Sequence, residues 1–131
     1  MEKIDPNVQA AMSHWSGRLV TNGVPLSIFQ DISENVTEWG KWCRTWSEKA
    51  EIFESMGYQA LKKGYLFSAS QHFVTASVCY HFGKFLFVQD PIQMRDAHMK
   101  AVENYKLALP HLKPAGERVT IPYGDHVFYG N

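Results

Sequence analysis

The segment CYHFGKFLFVQD, residues 79–90, places two basic side chains in an otherwise apolar run. His81 and Lys84 are three residues apart, a spacing that puts both on one face of a helix. Basic groups on a buried helix can point into a polar cavity or bind a carboxylate. The alternative is that each finds a partner within the protein or reaches the surface, with Lys84 extending its apolar stem. We take His81 and Lys84 as candidate ligand-binding residues.

A second group of aromatic residues lies in TEWGKWCRTW, residues 37–46, where three tryptophans crowd the start of a predicted helix. Their spacings of three and four place Trp39, Trp42 and Trp46 on one helical face. Core packing is the usual role of such a stripe and accounts for Trp42 and Trp46. Trp39 stands at the end of the stripe, so it is the tryptophan that we select as a candidate for contact with a ligand.

The sequence contains no complete set of catalytic residues. The motifs GxSxG, HExxH, GxGxxG and the Walker loop are absent. No two histidines stand at the i and i+4 spacing of a helical metal site; they are residues 14, 72, 81, 98, 111 and 126. We therefore predict no catalytic residue, no metal site and no cofactor within this chain.

Local signals predict about five helices. The Asp-Pro pairs at residues 5–6 and 90–91 each start one, because aspartate accepts the first free amide protons and proline is tolerated at the first helical position. The Asn-Gly pair at residues 22–23 ends the first helix, and a short helix follows Pro25. A proline at residue 110 closes the last helix.

The two middle helices carry the strongest periodicity. Apolar residues spaced by three and four from Trp39 to Ala60 predict a long helix that ends near Gly64. The same spacing returns from Ala69 to Phe87, where the other faces are apolar as well. Because a helix that is apolar nearly all round has to be buried, we expect this one at the centre of a helical bundle.

The last fifteen residues, ERVTIPYGDHVFYGN, follow a different pattern. Val119, Ile121 and Tyr123 alternate with period two, and Gly124-Asp125 suits a two-residue turn. The fold class expected is therefore mainly α, with about five helices followed by a C-terminal β-hairpin. Since an isolated hairpin is marginal in water, we expect it to lie on a larger sheet or on a helix face; left uncovered, its edge can mediate self-association.

Composition excludes several classes of partner. The chain has 131 residues, of which 45% are apolar and 14% aromatic, so it can form a hydrophobic core. Its 13 basic residues balance 13 acidic ones without a basic run, which argues against nucleic acid as a partner. Polar residues interrupt the most apolar stretch, residues 66–88, so we expect no membrane span.

The cysteines and the N-terminus indicate the compartment. Cys43 and Cys79 are isolated, and we expect two buried free thiols, which suits a reducing environment. The first fifteen residues have no apolar region typical of a secretory signal. We therefore expect a soluble, cytoplasmic protein.

An internal similarity offers an alternative function. The Ala-x3-aromatic-x2-Ala pattern that begins at Ala69 recurs at Ala101. A tetratricopeptide array has a related pattern but needs three or more copies, whereas about one and a half are found here. Small and large residues at this spacing also suit any closely packed helix pair, which is the interpretation that we favour.

Several segments together resemble the N-terminal part of an α/β-hydrolase family. They are WGKWCRTW, the SAS before His72, YHFGKFLF, AHMKAV..Y..ALP.L and GERVTIPY; these segments follow one another between residues 39 and 123, and the resemblance extends over roughly residues 25–131. The family includes 2,6-dihydroxypseudooxynicotine hydrolase and the fungal hydrolases that shorten polyketide pigment precursors. The resemblance implies a helical cap over residues 1–114 and, over residues 115–131, a hairpin that begins the hydrolase sheet.

The resemblance also implies that the catalytic residues and the substrate-enclosing cap lie in different parts of the protein. In the family the nucleophile, the acid, the histidine and the oxyanion loop all follow this region, so their positions lie beyond the chain. A cap encloses the substrate, excludes water and selects its shape, so the resemblance implies four substrate-pocket candidates in this chain: Trp39, His81, Lys84 and Phe85. We therefore expect this chain to be the lid domain of a serine-type hydrolase, and to come from a truncated gene or to be a piece of a longer chain. In the intact enzyme the lid would enclose an aromatic or polyketide-like carbonyl substrate. Cleavage of a C–C, ester or amide bond stays open.

The alternative, from another functional class, is a free-standing tetratricopeptide-like module that binds a peptide or protein. It predicts an exposed concave groove between stacked helix pairs.

Overall fold

The computed structural model describes residues 4–131, and within them it contains five α-helices and one two-stranded sheet. The α-helices are α1 (Pro6–Thr21), α2 (Leu26–Asn35), α3 (Trp42–Lys62), α4 (Leu66–Lys84) and α5 (Pro91–Ala108). Single 3₁₀ turns at Trp39–Lys41 and Leu109–His111 precede α3 and follow α5. The strands are β1 (Val119–Tyr123) and β2 (His126–Gly130). The predicted fold class, mainly helical with a C-terminal hairpin, is confirmed.

Aspartate caps start two of the helices as predicted. The Asp5 carboxylate accepts the backbone N–H of Asn7 at 2.8 Å at the start of α1. Asp90 accepts the backbone N–H groups of Ile92 and Gln93 at 3.1 and 3.0 Å at the start of α5. These contacts satisfy donors that have no partner inside the helix.

Helix α4 lies between α3 and α5 and packs against both along most of its length. Nine of its residues are buried: Ala69, Ser70, Phe73, Ala76, Ser77, Cys79, Tyr80, Phe82 and Gly83. They point in several directions around the helix, as expected for a central element. The prediction of a central apolar helix is therefore confirmed.

The C-terminal end of α4 departs from the predicted stripe. The stripe was expected to continue to Phe87, but the helix ends at Lys84. Leu86 has a φ of +62°, in the left-handed region that leucine rarely occupies, so the helix cannot continue through it. Phe87 still reaches the core, where it is 1% exposed and its ring lies 6.0 Å from that of Trp39.

The C-terminal hairpin is regular but uncovered. Its antiparallel register runs from Val119 opposite Gly130 to Tyr123 opposite His126, and Gly124 turns with a φ of +57°. Every residue from 119 to 129 is exposed. Ile121 and Phe128, which face each other across the strands, are 51% and 56% exposed. The apolar face of the hairpin therefore has no cover within residues 4–131.

Both cysteines are buried and free, as predicted. Burial raises the pKa of the Cys43 thiol to about 11 and that of Cys79 to about 12. Both groups are therefore protonated and unreactive at neutral pH.

Among the helices described, none combines the length and the apolarity needed to cross a membrane.

A substitution at Gly83 tests the contact between α3 and α4. A Cβ atom at this position would stand 2.8 Å from the Cβ of Trp46 and 3.3 Å from the backbone oxygen of Cys43. Neither is the far end of a flexible side chain, so the helices would have to separate. We expect Gly83→Ala to lower the free energy of unfolding by about 1–3 kcal/mol in urea denaturation.

Gly17→Ala is the matched control. Gly17 lies inside α1, and a Cβ there meets nothing within 4 Å. This variant should be more stable than the parent by about 0.5–1 kcal/mol, because alanine favours the helix. If both variants changed stability equally, close packing at Gly83 would be refuted.

Candidate functional site

A groove of about 460 Å³ lies where α4 and α5 meet the base of the hairpin. We call it the α4–α5 groove. Its apolar walls are formed by Val78, Phe82, Ala101, Val102 and Tyr105. The hairpin closes one side through Arg118, just before β1, and Asn131, just after β2. The groove therefore lies at the junction between the helices and the hairpin.

Two of the predicted site residues, His81 and Lys84, line this groove. Phe85 lies beside them, with its ring stacked on that of His81 at a centroid distance of 5.9 Å. Lys84 and Phe85 also line a neighbouring cavity of about 510 Å³ on the side of Leu86. The structure thus brings three of the four candidates together at the C-terminal end of α4.

Trp39 lies elsewhere. It stacks on Trp42 at 5.1 Å and lines a separate cavity of about 350 Å³ together with Trp15 and Leu86. Ring contacts connect it to the other candidates through Trp42, Trp46 and Phe82, the last of which meets both His81 and Phe85. Trp39 therefore contributes to the support of the α4 end and does not line the α4–α5 groove.

The electrostatics of the groove are set by clustered basic groups. Partial burial of the imidazole lowers the pKa of His81, and the nearby charges of Lys84 and His98 lower it further. His81 is therefore mostly neutral at neutral pH, so one ring nitrogen can donate a hydrogen bond and the other can accept one.

Two groove residues were missed in the sequence. His98 comes from α5, and Arg118 comes from the segment before β1. Lys84 and Arg118 are too far apart in sequence for a helical spacing rule, so only the position of the hairpin relative to α4 brings them to one cavity. The sequence feature that could have identified His98 is its spacing of three residues from the buried Ala101.

A second polar cluster joins α3, α4 and α5. The Glu54 carboxylate accepts hydrogen bonds from the Tyr80 hydroxyl at 2.8 Å, the Lys100 ammonium at 2.9 Å and the Asn104 amide at 3.3 Å. Tyr80 and Asn104 are 2% and 1% exposed. One carboxylate therefore ties three helices together, and we call this group the Glu54 cluster.

The ionisation of the cluster favours a structural role. Burial by itself raises the pKa of Glu54, but the hydrogen bonds from Lys100, Tyr80 and Asn104 lower it overall. Burial and the Glu54 carboxylate raise the pKa of Tyr80. A carboxylate held charged and a phenol held neutral form a stable pair rather than a proton-transfer pair. The sequence signal was Asn104, which lies in register with the small residues Ala97, Ala101 and Ala108.

Within residues 4–131 the structure contains no group of three or more His, Cys, Asp or Glu side chains that could hold a metal ion. The groove itself has basic and apolar lining but no paired acid and nucleophile. Its geometry suits binding and orientation of a ligand.

Comparison with known proteins supports the fold. No protein-family profile matches the chain, and no curated protein sequence matches it. The chain is similar to the crystal structure of 2,6-dihydroxy-pseudo-oxynicotine hydrolase, with a TM-score of 0.70 and 24% sequence identity. The similarity covers 82% of this chain but 30% of that hydrolase chain. The chain therefore shares its fold with part of a hydrolase.

Removal of the Lys84 charge tests the electrostatics of the groove. Because that charge lowers the pKa of His81, Lys84→Met should raise the pKa of His81 toward its ordinary value in an NMR titration. Lys62→Met, at the C-terminal end of α3, is the control and should leave it unchanged. Equal His81 titration curves in the parent and Lys84→Met would contradict the arrangement.

Glu54→Gln tests the role of the Glu54 cluster. The pKa of Glu54 in the folded state is below its ordinary value of 4.5, so its charge stabilises the fold above that pH. The stabilisation is lost as pH falls below 4.5 through the lowered value. We expect the variant to be less stable by about 1–3 kcal/mol at neutral pH. The difference should shrink progressively in acid, as measured by urea denaturation across pH.

The control for this measurement is Glu48→Gln. Glu48 pairs with Arg44 at 2.9 Å, and both side chains are exposed. Its loss should change stability by less than about 0.5 kcal/mol. A stability difference for Glu54→Gln that stayed constant from neutral pH into acid would contradict the account of the Glu54 cluster.

Proposed function

We propose that this chain is the helical lid region of a serine-type α/β-hydrolase. The observation that carries the proposal is the structural similarity to part of 2,6-dihydroxy-pseudo-oxynicotine hydrolase, with a TM-score of 0.70 over 82% of the chain. In this proposal residues 1–114 form the lid, and residues 115–131 are the first strands of the sheet of a catalytic domain. The nucleophile, acid and histidine lie beyond the chain.

The uncovered hairpin supports a domain beside the lid. Residues 119–129 are exposed, although the strands carry apolar side chains such as Ile121, Val127 and Phe128. A two-stranded sheet with both edges unpaired is marginal alone and gains stability from additional strands. The remainder of a hydrolase sheet is the cover that we propose.

The position of the α4–α5 groove supports its use as a substrate roof. Arg118 and Asn131 line the groove and also flank the two strands. A domain built onto the hairpin would consequently stand next to the groove. A ligand in the groove could then extend from the lid toward the catalytic domain.

In this proposal the catalytic domain performs the reaction and the lid binds the substrate. A serine in the catalytic domain would attack a substrate carbonyl. Val78, Phe82 and Tyr105 would exclude water and contact the apolar body of an aromatic or polyketide-like substrate. His81 and Lys84 would orient its polar groups. The bond cleaved, C–C, ester or amide, depends on the catalytic domain.

The transcript gives the first test. We expect the reading frame to continue past the codon for Asn131 and to encode a GxSxG motif, because the serine elbow of such hydrolases follows the start of the sheet. Sequencing of the full-length messenger RNA measures this. A stop codon directly after Asn131 with no in-frame GxSxG downstream would refute the proposal.

An esterase assay gives the second test. The purified 131-residue chain should not hydrolyse p-nitrophenyl acetate or butyrate above the buffer rate, because its sequence contains no GxSxG serine elbow. The control is an active α/β-hydrolase under the same conditions. Turnover that co-purifies with the chain and is lost in His81→Ala would show that catalysis resides here.

A further inference from the structure

The α4–α5 groove combines a cationic rim with an apolar interior. Four basic side chains line it: His81, Lys84, His98 and Arg118. No aspartate or glutamate side chain is among its lining residues. Asn131, which also lines the groove, carries the terminal carboxylate of the 131-residue chain. Lys84 and Arg118 outnumber this carboxylate and leave the groove with a local positive charge that the balanced sequence as a whole lacks.

The two permanent charges of the groove lack anionic partners. Two lysines elsewhere in the helices are paired: Lys49 contacts Asp31, and Lys100 contacts Glu54. Within residues 4–131, by contrast, neither Lys84 nor Arg118 forms an ion pair with an acidic side chain. Arg118 stacks over the ring of Tyr129 at 4.7 Å, which positions the guanidinium without neutralising its charge.

The size and lining of the groove define what it can accept. A volume of about 460 Å³ suits a small organic molecule. Val78, Phe82 and Val102 favour an apolar body, whereas the charges of Lys84 and Arg118 in the lining favour a negative group. A compact inorganic anion would leave the apolar walls without a contact.

We propose that the α4–α5 groove binds an amphiphilic carboxylic acid, with the carboxylate at Lys84 and Arg118 and the apolar body against Val78, Phe82 and Val102. The inference deepens the proposed function, since it names the substrate or product class that the lid would hold. The neutral imidazole of His81 adds a hydrogen-bond donor to the carboxylate.

A matched ligand series tests the inference on the 131-residue chain. Phenylbutyrate, phenylbutyramide and phenylbutylamine share an apolar body and differ in charge. Isothermal titration at low salt and neutral pH should show millimolar or tighter binding of the carboxylate, at least about tenfold weaker binding of the amide, and no binding of the amine. Equal affinity for acid and amide would overturn the proposal, as would the absence of carboxylate binding.

Variants locate the binding site. Lys84→Met and Arg118→Met should each weaken phenylbutyrate binding by about tenfold, whereas Lys62→Met should not change it. Circular dichroism verifies that each variant is folded. Binding that survives in the double variant of Lys84 and Arg118 would place the ligand elsewhere and refute the proposal.

Two further comparisons define the ligand class and separate this inference from the proposed function. Inorganic phosphate at equal concentration should not displace phenylbutyrate; displacement would show a general anion site and refute the requirement for an apolar body.

The binding assay and the transcript test can fail independently of each other. Carboxylate binding by a chain without a downstream GxSxG would contradict the lid proposal only, and a GxSxG-encoding transcript with no carboxylate binding would contradict this inference only.

Discussion

Burial of α4 between α3 and α5 is the constraint on which the rest of the structure depends. The helix is apolar on nearly all sides, so it needs neighbours along its whole length. Two features allow α3 to approach closely: Gly83 rests against Trp46, and Gly57 faces the ring of Phe73. On the other side Ser77 donates a hydrogen bond to the backbone oxygen of Ala101 at 2.7 Å and so joins α4 to α5.

The candidate site lies at the C-terminal end of α4, where the burial of this helix ends. Helix α4 ends at Lys84, the chain reverses through the left-handed Leu86, and Phe87 returns to the core. His81, Lys84 and Phe85 are therefore held at the rim of a rigid body. The Glu54 cluster lies on another side of α4, where its charged and neutral groups are matched to one another. The Glu54 cluster thus joins the helices, whereas His81 and Lys84 line the α4–α5 groove.

Sequence patterns predicted the elements better than the site. Helix caps, the turn glycine and the central helix follow from local or periodic signals, and those predictions agree with the structure. The groove could be predicted only in part, because His81 and Lys84 share a helix whereas Arg118 arrives from a distant segment. The contact of Asn104 with Glu54 could not be predicted for a similar reason, since the two residues lie 50 positions apart in the sequence. Contacts between elements depend on tertiary packing, which no short-range spacing encodes.

The central claim is that a catalytic domain covers the hairpin and that the α4–α5 groove opens toward it. A crystal structure of the product of the complete reading frame measures both directly. The account predicts that β1 and β2 are part of a larger sheet, with Ile121 and Phe128 buried, and that His81 and Lys84 face the catalytic serine across a closed cavity. A hairpin still exposed to solvent, or a groove on the side away from that serine, would contradict it.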